Sequence, residues 1–210
     1  MKILVCGQRS FGAAVVGRLC DAGHDVSVVS PWHRTDGGRW DRTHVEAHKR
    51  GLSWSPSGTL SPETAAGTDL IVAAHSHDFI GRLTREAAKY GAIGFHPSLL
   101  PRHRGRDAVR WAIHMGDPVT GGTVYQLDDG VDTGPVLLQY FRHIAPNWDH
   151  HDLWRELFPL GVDMLAQAVE LIALDGGFLG WSDQDEQFAT WEPSWERPRL
   201  HRPELLALDG

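Results

Sequence analysis

The sequence predicts a doubly wound α/β fold with a mostly parallel sheet flanked by helices, and three observations predict it. Residues 2–6 (KILVC) make a short apolar run closed by Gly7, the pattern of a strand buried on both faces. A helical stretch and a second apolar run, Val26–Val29, follow directly, so the chain opens as strand, turn, helix, strand. Two more apolar runs, Asp69–Ala74 and Ala92–Phe95, flank another helical stretch and continue the alternation.

The elements follow in order. Ser10 is placed to cap the first helix, whose apolar face is Ala13, Val15, Val16, Leu19 and Cys20, with Gly23 as its stop. The turn before it, GQRSFG, lacks the middle glycine of a dinucleotide fingerprint and the Gly-Lys-Ser/Thr of a P-loop. Its helix start can still hold an anion, helped by Arg9. Residues 31–41 read as a surface loop, 42–50 as a helix, and 56–62 as a further loop. HSHDFIGRLTREAAKYG is a turn entering a helix that Gly91 ends. The strand Ala92–Phe95 then delivers His96 at its carboxyl end, the edge where open α/β sheets bind ligands.

Pro97 and Pro101 bracket an irregular loop, and a short helix covers Asp107–Met115. Thr123–Leu127 and Val136–Tyr140 alternate like strands and are joined by DDGVDTG. The longest helical pattern, Asp152–Leu174, aligns Leu153, Leu157, Leu160, Met164, Ala168, Leu171 and Ile172. Residues 1–175 therefore read as one catalytic-sized domain. Residues 176–210 read as a C-terminal extension, with a strand near Phe188–Trp191 and then a loose arm, packed on that domain or on a dimer mate.

A net charge of −7 argues against a general nucleic-acid or anionic-membrane surface, although Arg102, Arg104, Arg106 and Arg110 form a local basic cluster. Cys6 and Cys20 fall in a strand and a helix and read as reduced core residues, which with no visible secretory signal makes a cytoplasmic location the expectation. No apolar run approaches the length that crosses a bilayer.

Two residues stand out as chemistry. His96 ends its strand just before a proline-bounded loop, and Asp132 sits in the glycine-rich turn. Each has an ordinary reading, His96 as a hydrogen-bonded structural histidine and Asp132 as a turn brace; together they suggest an acid/base pair. Asp132-Thr133-Gly134 matches the aspartic-protease triplet, but one copy on an α/β pattern cannot supply the second carboxylate. His75 with His77, and His150 with His151, lack the spacing of a zinc site.

HPSLLPRHRG, then WAI with GD and TGGTVY, then DDGVDTGPVL, resembles the formyltetrahydrofolate-dependent formyltransferases. The close match runs from about Asp69 to Gln139. The resemblance implies a Rossmann-like formyltransferase fold and transfer of a formyl group from 10-formyltetrahydrofolate to the amine of a small molecule. It also implies that His96 stabilises the tetrahedral intermediate or shuttles a proton, that Asp132 orients it and helps move protons, and that Ser98 shapes the loop. By position it places the pterin against His77, Asp78, Phe79, Ile80, Leu127, Asp128 and Asp129, with no metal. Such relatives often pair through C-terminal elements, so a homodimer is expected.

One departure matters. The family usually carries Asn two residues before the histidine as a donor to the formyl oxygen, and this chain has Gly94. Loss of one oxyanion donor costs on the order of 10²–10³ in rate. A water, a backbone N–H or another side chain fills the gap, or catalysis is weak or altered. The acidic balance and the missing C-terminal domain of the tRNA-formylating relatives point away from tRNA. Trp154, standing where the glycinamide ribonucleotide enzymes have Glu, points away from that substrate. An amino-sugar nucleotide or a modified amino acid remains as acceptor. Two alternatives stay open: an impaired folate- or nucleotide-binding module, and a formyltetrahydrofolate hydrolase.

Overall fold

The structure, a computed structural model, describes residues 1–32, 40–175 and 180–195. Seven strands form one sheet: β1 (Lys2–Gly7), β2 (Asp25–Ser30), β3 (Ser53–Pro56), β4 (Leu70–Ala74), β5 (Ala92–His96), β6 (Val119–Gln126) and β7 (Val136–His143), in the order β3-β2-β1-β4-β5-β6-β7. Neighbours from β3 to β5 are parallel, whereas β6 and β7 run antiparallel as a closing hairpin. The strand order turns back at β1, so the crevice beyond the carboxyl ends of β1 and β4 is a topological switch point. Gly7 is required there, because a Cβ on it would lie 2.7 Å from the Ala74 carbonyl oxygen.

The period-two alternation of the strands divides the core. Ile3, Val5, Val26, Val28, Leu70, Val72 and Ile93 pack with helices α1 (Arg9–Asp21), α2 (Arg42–Lys49), α5 (Ala108–His114) and α6 (His150–Asp175). Leu4, Cys6, Val29, Ile71 and Ala92 face the shorter α3 (Pro62–Ala65) and α4 (Arg82–Ala87). Both cysteines are free.

The structure departs from the sequence reading at several points. Ser10 does not cap α1, which begins at Arg9 without a side-chain cap of its own. Asp41 instead accepts the Arg9 N–H at 2.8 Å and caps α2 through the Thr43 N–H. β3 and α3 were not expected, and β6 begins four residues before Thr123. Phe188–Trp191 is not a strand: Glu186–Phe188 is one 3₁₀ turn, and Trp191 forms an isolated bridge with Arg104. The middle of the 31–41 loop and the expected arm beyond residue 195 lie outside the described residues. By length and composition α6 does qualify as a bilayer-crossing segment, with a mean hydropathy of 1.6. Leu153, Leu157, Met164, Leu165 and Val169 on it are nevertheless fully buried against the sheet, as in a core helix.

Candidate active site

His96 closes β5, and the residue is only 6 % exposed. Its Nε2 lies 2.6 Å from the carbonyl oxygen of His103, which can only accept, so Nε2 carries the proton. Nδ1 is left facing Asp132 Oδ2 at 3.5 Å, too far for a direct hydrogen bond. Sequence reasoning gave Asp132 the task of orienting the ring, yet the hydrogen bond that aims it comes from a loop carbonyl.

Asp132 adopts a left-handed backbone (φ +56°), which aspartate tolerates in a tight turn. Its Oδ2 accepts the Gly105 N–H at 2.7 Å and its Oδ1 accepts the Tyr125 hydroxyl at 2.5 Å. Burial first, and then the Asp132 charge, hold the Tyr125 hydroxyl well above its usual range, so it stays protonated and donates. Tyr125 was read only as a strand residue. Its spacing from Asp132 spans a strand end and a turn, and no local pattern shows that they touch.

The loop between His96 and α5 is braced from within and from outside. Ser98, fully buried, donates to the Arg102 carbonyl, and Thr123 ties Ser98 and Leu100 to β6. Residues 180–195 then strap the loop: Thr190 exchanges backbone bonds with Pro101 and Arg104, and its hydroxyl accepts the His103 N–H. Arg104 reaches Gln184 and Glu186, while Gln184 donates to the carbonyls of Asp132 and Gly134. The buried His103 ring stands between Asp117, at 2.8 Å from Nε2, and Glu192, at 3.0 Å from Nδ1.

Burial alone would raise the Asp117 carboxyl, but hydrogen bonds from Arg102 and His103 outweigh it and hold it below its ordinary 3.8. The stability this lends is whole above the ordinary value and is lost as pH falls through the folded one. Asp117→Asn should therefore lower the melting temperature at neutral pH and flatten its fall below roughly pH 4, measured by calorimetry across that range.

The pair opens onto a cavity of about 790 Å³. His77, Asp78, Phe79, Ile80, Leu127 and Asp128, which the resemblance assigns to the donor, line it, with Phe79 83 % exposed at the rim. Asp129 faces a neighbouring depression instead, paired with Arg85. Arg9, His75, Arg106, Arg110, His150 and Trp154 also line it; the sequence had offered His75 and His150 only as rejected metal ligands and Arg106 and Arg110 only as part of a basic cluster. His75 and His77 are pushed below the ordinary imidazole range, first by the protein packed around them, although both keep solvent contact. Arg9 adds to both shifts and Arg106 to that of His77, so positive charge gathers on this wall. No group of three or more metal-ligating side chains occurs among the described residues.

The family model described as "Formyl transferase" matches residues 1–169. The chain belongs to the formyl transferase family. The cytosolic 10-formyltetrahydrofolate dehydrogenase of Mus musculus is 38 % identical over 91 % of this formyl transferase chain, and the match covers 22 % of that protein. The chain thus spans under a quarter of the length of such relatives. A methionyl-tRNA formyltransferase from Acidobacterium capsulatum is 29 % identical over 92 % of the chain and 65 % of that protein. Among solved structures, the sugar 3N-formyl transferase WlaRD, crystallised with dTDP and 5-N-formyl-THF, superposes with a TM-score of 0.77 at 16 % identity, over 93 % of this chain and 70 % of that one. That likeness speaks for the fold: the Rossmann-like formyltransferase architecture expected from the sequence is the one observed.

Proposed function

We propose that this domain transfers the formyl group of 10-formyltetrahydrofolate to the amine of a small, anionic acceptor. The observation that carries the reading is the meeting of His96 and Asp132, at 3.5 Å, on one wall of a cavity of about 790 Å³. The amine nitrogen attacks the formyl carbon, and its proton passes to His96 Nδ1, the unprotonated ring atom, or to Asp132 through a bridging water. The C–N10 bond then breaks, N10 takes the proton, and tetrahydrofolate leaves. His103 holds the imidazole so that Nδ1, and not Nε2, meets the reactants.

Three cavity arginines free of ion pairs among the described residues support an anionic acceptor, such as an amino-sugar nucleotide or a modified amino acid. The cavity's four carboxylates are all engaged: Asp78 by the Gly58 N–H, Asp107 by Trp195, Asp128 by Thr133 and Gly130, and Asp132 as described. Of the four-arginine cluster, Arg102 is spent on Asp117 and Arg104 on Glu186. Arg9, Arg106 and Arg110 have no side-chain ion pair among the described residues, so a bound carboxylate or phosphate could pair with guanidinium groups that no carboxylate engages directly.

Purified protein is expected to release tetrahydrofolate only when the matching amine is supplied, followed by absorbance across an amine panel. Arg106→Ala and Arg110→Ala should each raise KM for the acceptor about tenfold and leave KM for the folate in place. A rise in the folate KM instead would assign these cations to the glutamate tail of the donor. A second reading, hydrolysis to formate and tetrahydrofolate, draws on the dehydrogenase relatives and on the missing amide at Gly94. It is the correct one if formate appears at full rate without any amine.

A further inference from the structure

We propose that Tyr125 is a positioning residue for the Asp132–His96 pair, with its ring packed beside Gly94. The proposal rests on the assignment of His96 and Asp132 as the reacting pair.

Gly94 and Tyr125 are directly opposed in the antiparallel β5–β6 ladder, two residues from the opposed His96 and Thr123, so all four project from the same sheet face. A Cβ built on Gly94 would lie 3.5 Å from Tyr125 Cε1 and 3.6 Å from Cζ, with Leu127 Cδ2 closer still at 3.2 Å. Leu127 is the tighter neighbour and the hydroxyl-bearing edge of the phenol stands in ordinary van der Waals contact beside it, so a side chain longer than Cβ at 94 would press on both. From there the hydroxyl reaches Asp132 Oδ1 at 2.5 Å. One carboxylate oxygen is thereby fixed by a side chain on β6, and the other is left to the Gly105 N–H and to His96. Without the phenol, Asp132 keeps a single fixed donor and can swing about its terminal torsion, which is intrinsically broad for aspartate.

The polar group that relatives place on β5 has its counterpart here on β6, acting on the carboxylate. A side chain at position 94 would press on Leu127 first and on the Tyr125 ring next to it. The plainer alternative is a buried tyrosine that satisfies its hydroxyl on the nearest acceptor with no consequence for the pair.

Tyr125→Phe removes the O–H and keeps the ring against Gly94. The first measurement needs no substrate: with ¹⁵N-labelled histidine, the pH titration of the His96 ring reports the shared titration of the pair. A donor favours the charged carboxylate, so its loss should move the acid step to higher pH. The second is turnover of 10-formyltetrahydrofolate, where kcat should fall about 10- to 100-fold with KM for the folate unchanged. Gly94→Asn should shift the His96 titration in the same direction and lower kcat, and the double variant should be no worse than the poorer single one. A gain in rate for Gly94→Asn, or an unmoved His96 titration in Tyr125→Phe, overturns the proposal. A moved titration in a protein that never turns over formyltetrahydrofolate upholds the positioning role and refutes the formyl-transfer reading.

Discussion

Asp132→Asn should reduce formyl transfer on the order of 10²–10⁴-fold while leaving the melting temperature nearly unchanged. The swap is close to isosteric, and asparagine tolerates the left-handed backbone at this position as aspartate does. An amide oxygen can still accept the Gly105 N–H or the Tyr125 hydroxyl, so the turn keeps its bracing. What disappears is the negative charge 3.5 Å from His96 Nδ1, which favours the imidazolium formed when the ring takes the proton of the amine. Steady-state kinetics with a matched melting curve checks both halves. Full activity in a stable variant would remove Asp132 from the chemistry.

The second large effect is expected at a residue just outside the cavity lining. Glu192→Ala removes the carboxylate 3.0 Å from the buried Nδ1 of His103, a contact at ion-pair distance without hydrogen-bond alignment, and should cost about 1–3 kcal/mol. In a chain of this size that amounts to a fall in melting temperature of several degrees. Because the His103 carbonyl holds His96 Nε2, turnover should fall with stability, although Glu192 does not line the cavity. Glu192→Gln, which keeps the shape and a polar oxygen but not the charge, should recover part of both. A variant that loses stability and keeps kcat would separate the strap from the site.

Much of this was legible in the sequence where one element suffices to make the pattern. The buried strands read as apolar runs because helices cover both faces, and His96 was placed at a ligand-binding edge by its position alone. β3 escaped because Ser53–Pro56 is a sheet-edge strand paired only with β2, with a proline and two serines in place of an apolar run. The start of β6 was hidden by Gly121 and Gly122. These are glycines because a Cβ on either would strike the Tyr140 carbonyl oxygen at 2.0 Å or the Phe95 ring at 2.4 Å. The cap of α1 was misread because its acceptor, Asp41, is supplied 32 residues later. Tyr125, Gln184 and Glu192 act through contacts made only once the chain has folded, and nothing in their local sequence marks them. The basic cluster was visible, but only the structure divides it into two arginines committed to structure and two facing the cavity.

The strap from residue 180 to 195 also bears on how the protein comes into being. Domains fold as synthesis proceeds, from the N-terminus onward. The five parallel strands and the loop after His96 are complete long before Thr190, 87 residues beyond His103, leaves the ribosome. Until then the loop that aims the imidazole lacks its outer brace, so a nascent chain holds the fold before it holds the finished site. A chain ending before residue 180 should keep the sheet and the long helix but lose the fixed orientation of His96. The last part of the described chain to be made is the part that completes the reactive centre.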